Sequence, residues 1–276
     1  MRLKILCFFV LLSLTWGAGQ ADDLLKINPV KDEMKRYFVK RIEVFGLQVF
    51  ATQSCPNDKM RHAASVLAEY LDNNEDGLAD NPIVLERMKK QRAAMVLTGT
   101  EREAERLFDQ IPDAILSRRA LQALYGEEIH PGNQGPFDAT LEEVLHLVTF
   151  AGYSEAYPKV FGLKAGSELT KAMDIARGGR FRRVPRNYPP QAWYTYDDRS
   201  CDYQCMAVEY FYWGLTSVLG AQESKGRFNH IRQEWRLNTL EKMKSTDTTL
   251  YALLTDPRFK LPTICPDGKY REAAKK

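Results

Sequence analysis

Histidine and cysteine are both scarce in this chain, with four and five copies in 276 residues. No apolar run beyond Trp16 is long enough to span a bilayer, so no membrane-spanning segment is expected. The sequence contains no N-x-S/T sequon, so N-glycosylation is not expected. Charge of one sign is lacking as well: 39 Lys and Arg face 36 Asp and Glu, a formal net charge of +3. That balance argues against nucleic acid or an anionic membrane as the main partner. Internal repeats and composition-biased linkers are missing too, which points to one domain. An aromatic content of 11% points to a packed core rather than disorder.

The amino terminus is what a secretory signal peptide needs. Met1 to Lys4 is basic, Ile5 to Trp16 is apolar, and Gly19 and Ala21 occupy the −3 and −1 positions before Asp22. Residues 1–21 are therefore expected to be removed, leaving 22–276 as a single secreted, extracellular domain. Cys7 leaves with the leader. Cys55, Cys201, Cys205 and Cys265 remain, an even number that suggests two disulfides in an oxidising compartment. Three connectivities are open. The favoured one joins Cys201 to Cys205 as a local clip and Cys55 to Cys265 as a tie between the two ends. A C-x3-C metal clip is the alternative.

Residues 39–52 hold two short β-type stretches around Gly46, a hairpin or a bent strand. Apolar spacing predicts a helix over 58–71, and Pro82 opens another to about residue 92. Residues 94–98 form a buried-strand candidate, and Thr100 with Glu103 makes a capping box. Residues 114–129 fit helix or strand equally. Further helices are expected over 138–152, after Ser167, over 202–219, over 227–243 and over 246–254. Residues 180–199 are irregular. The expected fold is α+β: a helix-rich, disulfide-bonded single domain with a small antiparallel or mixed sheet.

Chemistry concentrates in Thr140-Leu-Glu-Glu-Val-Leu-His146. Glu142 and His146 are an i,i+4 pair and share one helix face. That spacing presents two metal ligands, with Glu143 beside them as general base. A third ligand is needed, and Glu209 is the choice, because a carboxylate among so many aromatics is costly unless paired or metal-bound. Tyr212, one turn later, offers a hydroxyl to a developing oxyanion. The pattern resembles the zincin metallopeptidases and their gluzincin branch, in which a downstream helix donates a glutamate. The resemblance covers the helix at 138–152 and, loosely, the one at 202–219. It implies Zn²⁺ on Glu142, His146 and Glu209, catalysis by Glu143 and Tyr212, and a peptide or protein substrate. Here the first histidine of the H-E-x-x-H pattern is Glu142, which makes the site more anionic.

The same residues have a structural reading. Thr140 and Glu143 match a capping box, or Asp138 caps while both glutamates face the helix dipole, and His146 is then a hydrogen-bonded core residue. Glu127 and His130 repeat the E-x-x-H spacing seen in carboxylate-bridged di-iron bundles, but Pro131-Gly132 makes a poor helix there. His62 reads as a core histidine and His230 as a surface one. The arginine-rich run at 177–186 either binds an acidic polymer or pairs with Asp197, Asp198 and other carboxylates.

The stretch Asp72-Asn-Asn-Glu-Asp-Gly-Leu-Ala-Asp80 lies between two predicted helices, at 58–92. It resembles EF-hand-like calcium loops, with Asp72, Asn74, Asp76 and Asp80 as side-chain ligands, Leu78 as the carbonyl and Gly77 at the turn. Position 12, normally a bidentate Glu, is Ile83. The resemblance implies a structural Ca²⁺, and a plain polar turn is the alternative. The chain is also similar to a group of secreted proteins of no established activity, in which such a loop precedes an E-E-x-L-H helix. Two functions follow as expectations. One is a zincin-like secreted hydrolase. The other is a non-enzymatic, calcium-stabilised extracellular matrix or binding protein.

Overall fold

A computed structural model describes residues 25–132 and 136–271, so the expected leader lies outside the described residues. Five strands lie in chain order: β1 (Asn28–Pro29), β2 (Lys40–Val44), β3 (Leu47–Ala51), β4 (Ala94–Thr98) and β5 (Leu121–Tyr125). The first three are antiparallel, and β3, β4 and β5 run parallel. Phe45 and Gly46 both take positive φ, 49° and 86°. That is the twisted two-residue turn that closes a β2–β3 hairpin.

Parallel pairing requires crossovers. Helices α1 (Asn57–Leu71) and α2 (Pro82–Lys90) connect β3 to β4, and α3 (Glu101–Phe108) and α4 (Asp113–Leu116) connect β4 to β5. Alternate strand residues therefore enter two cores. Val49, Ala51, Met95 and Leu97 join the larger one, while Phe50, Ala94 and Val96 pack with Met34, Phe38 and Ile111. Every residue of β4 is buried, as a strand covered on both faces must be. The ambiguous 114–129 stretch divides: α4, then β5, then a short 3-10 turn at Gly126–Glu128.

The larger core is roofed by α5 (Thr140–Val148), α6 (Glu168–Ala176) and α7 (Tyr203–Val218). Asn81, Thr100, Ser167 and Asp202 each cap the helix that follows. Three short helices follow: α8 (Arg227–Ile231), α9 (Leu240–Thr246) and α10 (Thr248–Leu254). The single helix expected over 227–243 is thus two pieces, α8 and the start of α9, separated by a turn at 232–234 and an isolated bridge of Trp235 to Tyr194. Gly214 lets α7 approach α10, because a Cβ there would lie 2.4 Å from Leu250 Cδ2 and 2.9 Å from Leu254 Cδ1. We expect Gly214→Ala to destabilise by about 1–3 kcal/mol through overpacking, read from the urea midpoint.

The Cys201–Cys205 disulfide forms, with a Cα separation of 5.4 Å. Cys55 and Cys265 are free thiols, which corrects the expected Cys55–Cys265 bridge. Cys55 precedes α1, whereas the chain after Cys265 runs back antiparallel along that helix. Ile264 N bonds Asn73 Oδ1 (2.9 Å), Lys269 N bonds Glu69 Oε1 (2.7 Å) and Tyr270 N bonds Ser65 Oγ (2.6 Å). The two cysteines therefore flank opposite ends of a 15-residue helix, roughly 22 Å long, far beyond the ~7 Å Cα limit of a disulfide. Burial pushes both thiols up to about 11, so neither supplies thiolate at neutral pH. Among the described residues, no helix is long and apolar enough to cross a membrane.

Candidate metal centre

Asp138 sets the start of α5. Its Oδ1 accepts from Thr140 N (3.1 Å), Thr140 Oγ1 (2.7 Å) and His130 N (3.1 Å), and its Oδ2 meets His62 Nε2 on α1 at 2.5 Å. The Thr140–Glu143 capping box does not form, and of the two capping arrangements the Asp138 one is present. His62 is buried as expected, but it serves as the strut between α1 and α5. Burial would raise the Asp138 carboxyl, but hydrogen bonds from His62 and Thr140 outweigh it and hold the carboxyl below its ordinary value. A depressed carboxylate contributes stability above its unfolded pKa, and that contribution is lost as pH falls through the folded one. Asp138→Asn should therefore cost about 1–2 kcal/mol at neutral pH, as a lost helix-start acceptor does. It should also flatten the decline in urea midpoint that the native protein shows below about pH 4.

Freed from capping, Glu143 turns sideways. It accepts from Gln122 Nε2 on β5 and lies 3.5 Å from His146 Nδ1. The other ring nitrogen, Nε2, lies 3.3 Å from Glu209 Oε2 on α7. One turn before His146, Glu142 completes a group whose ligand atoms all lie within 4.8 Å of one another. Among the described residues this is the one group of three or more His, Cys, Asp or Glu side chains that converges in this way. His146 and Glu209 are each 7% exposed, so the site is nearly closed.

Two phenols border the carboxylates. Tyr196 donates to Glu209 Oε1 at 3.2 Å, and Tyr212 hydrogen-bonds Glu142 while its own oxygen accepts from Gln222 Nε2 at 3.2 Å. The Tyr212 ring also meets the His146 ring edge to face, 5.7 Å between centroids. Burial, and next the charge on Glu209, push the Glu142 carboxyl up to about 8. Burial alone would lower His146, but the carboxylates of Glu209 and Glu143 override it and hold the ring protonated well above its ordinary pKa.

The residues fit a divalent ion. Nε2 of His146 and Oε2 of Glu209 are buried and face each other as an ion pair at 3.3 Å, without an aligned hydrogen bond. Buried polar atoms are rarely left so. One nitrogen and two carboxylate donors are a metal-ligating set, and a bound ion would displace the protons that burial and charge keep on His146 and Glu142. The structure thus brings Glu142, His146 and Glu209 together. Glu143 is not one of that group: its carboxylate lies 3.5 Å from Nδ1, the other nitrogen of the ring. Tyr212 stands on a ligand rather than in open space. Residues 193–196 are a cleft-lining candidate by sequence, but the Tyr196–Glu209 contact and Gln122 are not foreseen there, because no helical spacing links either to His146. Glu127 and His130 do not join the group.

In the 72–80 loop, Asp72 Oδ1 accepts from Asp76 N (3.1 Å) and its Oδ2 from Gly77 N (2.8 Å). Asn74 accepts from Asp76 N (3.0 Å), Asp76 from Leu78 N (2.9 Å) and Asp80 from Asn73 N (2.7 Å). Gly77 holds φ +84°, the turn expected of it. The Leu78 side chain is exposed. Burial, and then the charges of Asp72 and Asp76, raise the Asp80 carboxyl. Asn73, which the loop pattern ignores, pins the loop to the carboxy-terminal segment through Thr263 and Ile264.

No protein-family model matches the chain, and no curated protein or solved structure matches it.

Proposed function

We propose that the protein is a metal-dependent hydrolase of zincin-like chemistry, holding one divalent ion, zinc in type, through Glu142, His146 and Glu209. The observation that carries this is the convergence of the Glu142, His146 and Glu209 ligand atoms within 4.8 Å of one another in a nearly closed site. A bound zinc ion would supply Lewis acidity and lower the pKa of its water to about 7. The chain's own residues then have distinct tasks. Glu143 fixes the ring so that Nε2 points inward. Tyr196 and Tyr212 orient Glu209 and Glu142 and present hydroxyls at the edge of the site. A secreted location and a peptide or protein substrate belong to the same proposal. The test is metal content of the purified protein with chelator-sensitive hydrolysis of a peptide library. Protein free of metal, with no activity restored by zinc, would overturn it.

The near-closure of the site favours a second reading, in which the same ion is structural and the protein is a non-enzymatic, calcium-stabilised extracellular component. Metal content without hydrolysis selects that reading. For the 72–80 loop, the three aspartates do not converge as the Glu142 group does, and a weak calcium site rests on the sequence pattern and the Gly77 turn. At 5 mM calcium, a Kd near 10⁻³ M should raise Tm by roughly 2–4 °C over chelator. Asp76→Ala should abolish that shift, and a flat calcium response in the native protein would make the loop a plain turn.

A further inference from the structure

A second polar feature lies at the amino ends of β3 and β4. A cavity of about 260 Å³ is lined by five cations, Lys31, Arg41, Lys89, Arg92 and Arg119, with one carboxylate, Asp32, and Phe50. Arg41 sits opposite Phe50 in the β2–β3 register, and the Arg119 guanidinium carbon lies 5.7 Å from the Phe50 ring centroid. Both arginines therefore flank one ring.

Their hydrogen bonding is incomplete in the same way. The Arg119 side chain is 3% exposed, and its Nη2 is held by Asp32 (2.5 Å) and Glu33 (3.0 Å). Arg41 uses Nη1 on Gln48 (3.3 Å). In each, Nε is buried with no partner. The Nε atoms are closed off, so an acceptor in the cavity meets the terminal guanidinium nitrogens and the ammonium groups at the rim. Charge points the same way. Arg41 pairs with Glu43, Lys89 with Glu86, Arg92 with Glu33, and Arg119 with both Asp32 and Glu33. Lys31 adds one uncompensated positive charge at the rim. Hydrogen bonds from Arg119, above all, hold the Glu33 carboxyl down to about 2, so this frame stays ionised across the physiological range.

We infer that this cavity binds a small oxyanion, a phosphate or carboxylate group on a compact molecule, whose oxygens accept from the guanidinium of Arg41 and the ammonium of Lys89. Guanidinium groups are the side chains best matched to such oxygens. Open α/β sheets usually bind ligands outside the carboxyl ends of their strands. This cavity is at the opposite end, so its ligand is recognised by these side chains and not by strand topology. The inference is independent of the Glu142–His146–Glu209 site.

The test is calorimetric titration of the full protein in low-chloride buffer, first with inorganic phosphate and then, separately, with succinate. Saturable one-to-one binding of either is expected, and which one binds identifies the group recognised. Arg41→Gln and Lys89→Ala should each weaken it at least about tenfold, as loss of a charge-assisted contact does. Arg232→Gln, an exposed change just after α8 and outside the cavity lining, should leave it unaltered. Lys89 is a rim residue, so its variant reports on binding even if Arg41→Gln folds poorly. No saturable binding of either anion up to about 50 mM, well beyond the weak ~1 mM end of specific affinity, overturns the inference. So does binding that survives both cavity variants.

Discussion

His146→Ala should abolish stoichiometric metal, leaving less than about a tenth of an equivalent where the native protein carries close to one. The ring supplies the one nitrogen donor of the group, and its Nε2 is buried 3.3 Å from Glu209 Oε2. Removing it leaves two carboxylates in a nearly closed site. Glu209→Gln should act almost as strongly, since it deletes both a donor and half of the charge that balances a divalent ion. Glu143→Gln should be milder, an affinity loss of about 10–100-fold, because that residue touches the far ring nitrogen. This ranking separates a ligand from an orienting group, and equal effects of Glu143→Gln and Glu209→Gln would contradict the assignment. Stability should follow occupancy. With the ion at about 100 times its Kd, linkage is worth ~2.7 kcal/mol, so chelation should lower the native Tm by roughly 5–10 °C. The same chelator should leave the melting of His146→Ala unchanged.

Arg177→Ala should produce the largest purely structural loss, about 3–5 kcal/mol and a Tm lower by roughly 6–15 °C. Arg177 is fully buried, and its guanidinium answers Asp174 (2.9 Å) and the Phe181 carbonyl (3.1 Å). The Phe181 and Tyr203 rings lie 5.8 Å and 5.2 Å from the guanidinium carbon. Truncation removes those contacts and opens a cavity between α6 and α7. Arg177→Lys should recover little, because an ammonium lacks the planar fork that reaches both oxygens. A urea series on the two variants measures this directly, and a lysine variant within about 1 kcal/mol of native would show that charge alone suffices. Arg177 also anchors the irregular 180–199 segment that carries Tyr196, so its loss should weaken metal retention as a secondary effect. Of the five arginines in the 177–186 run, the sequence treated all alike. Burial separates Arg177 from Arg180, Arg182, Arg183 and Arg186, which are exposed or nearly so.

What was legible along the chain was local. The i,i+4 relation of Glu142 and His146 follows from helical pitch, the Cys201–Cys205 clip from a separation of four residues, and β4 from an uninterrupted apolar run. Glu209 was legible for a different reason: a carboxylate on an aromatic helix is costly in any fold, so a partner could be inferred before it was seen.

Side-chain direction and long-range meeting were not legible. Residues 138–146 alone leave open whether Thr140 or Asp138 receives the first amides of α5, and that choice, made by His62 on α1 and His130 before the loop, frees Glu143 to move behind the ring. Cys55 and Cys265 look like a pair by number, and the direction of α1 keeps them apart. Tyr196 reaches Glu209 from a segment with no periodicity. Backbone hydrogen bonding repeats every few residues and so leaves its period in the sequence. Which nitrogen of His146 faces inward, and which carboxylate meets it, depends on packing between α5, α7 and β5, which no local period records.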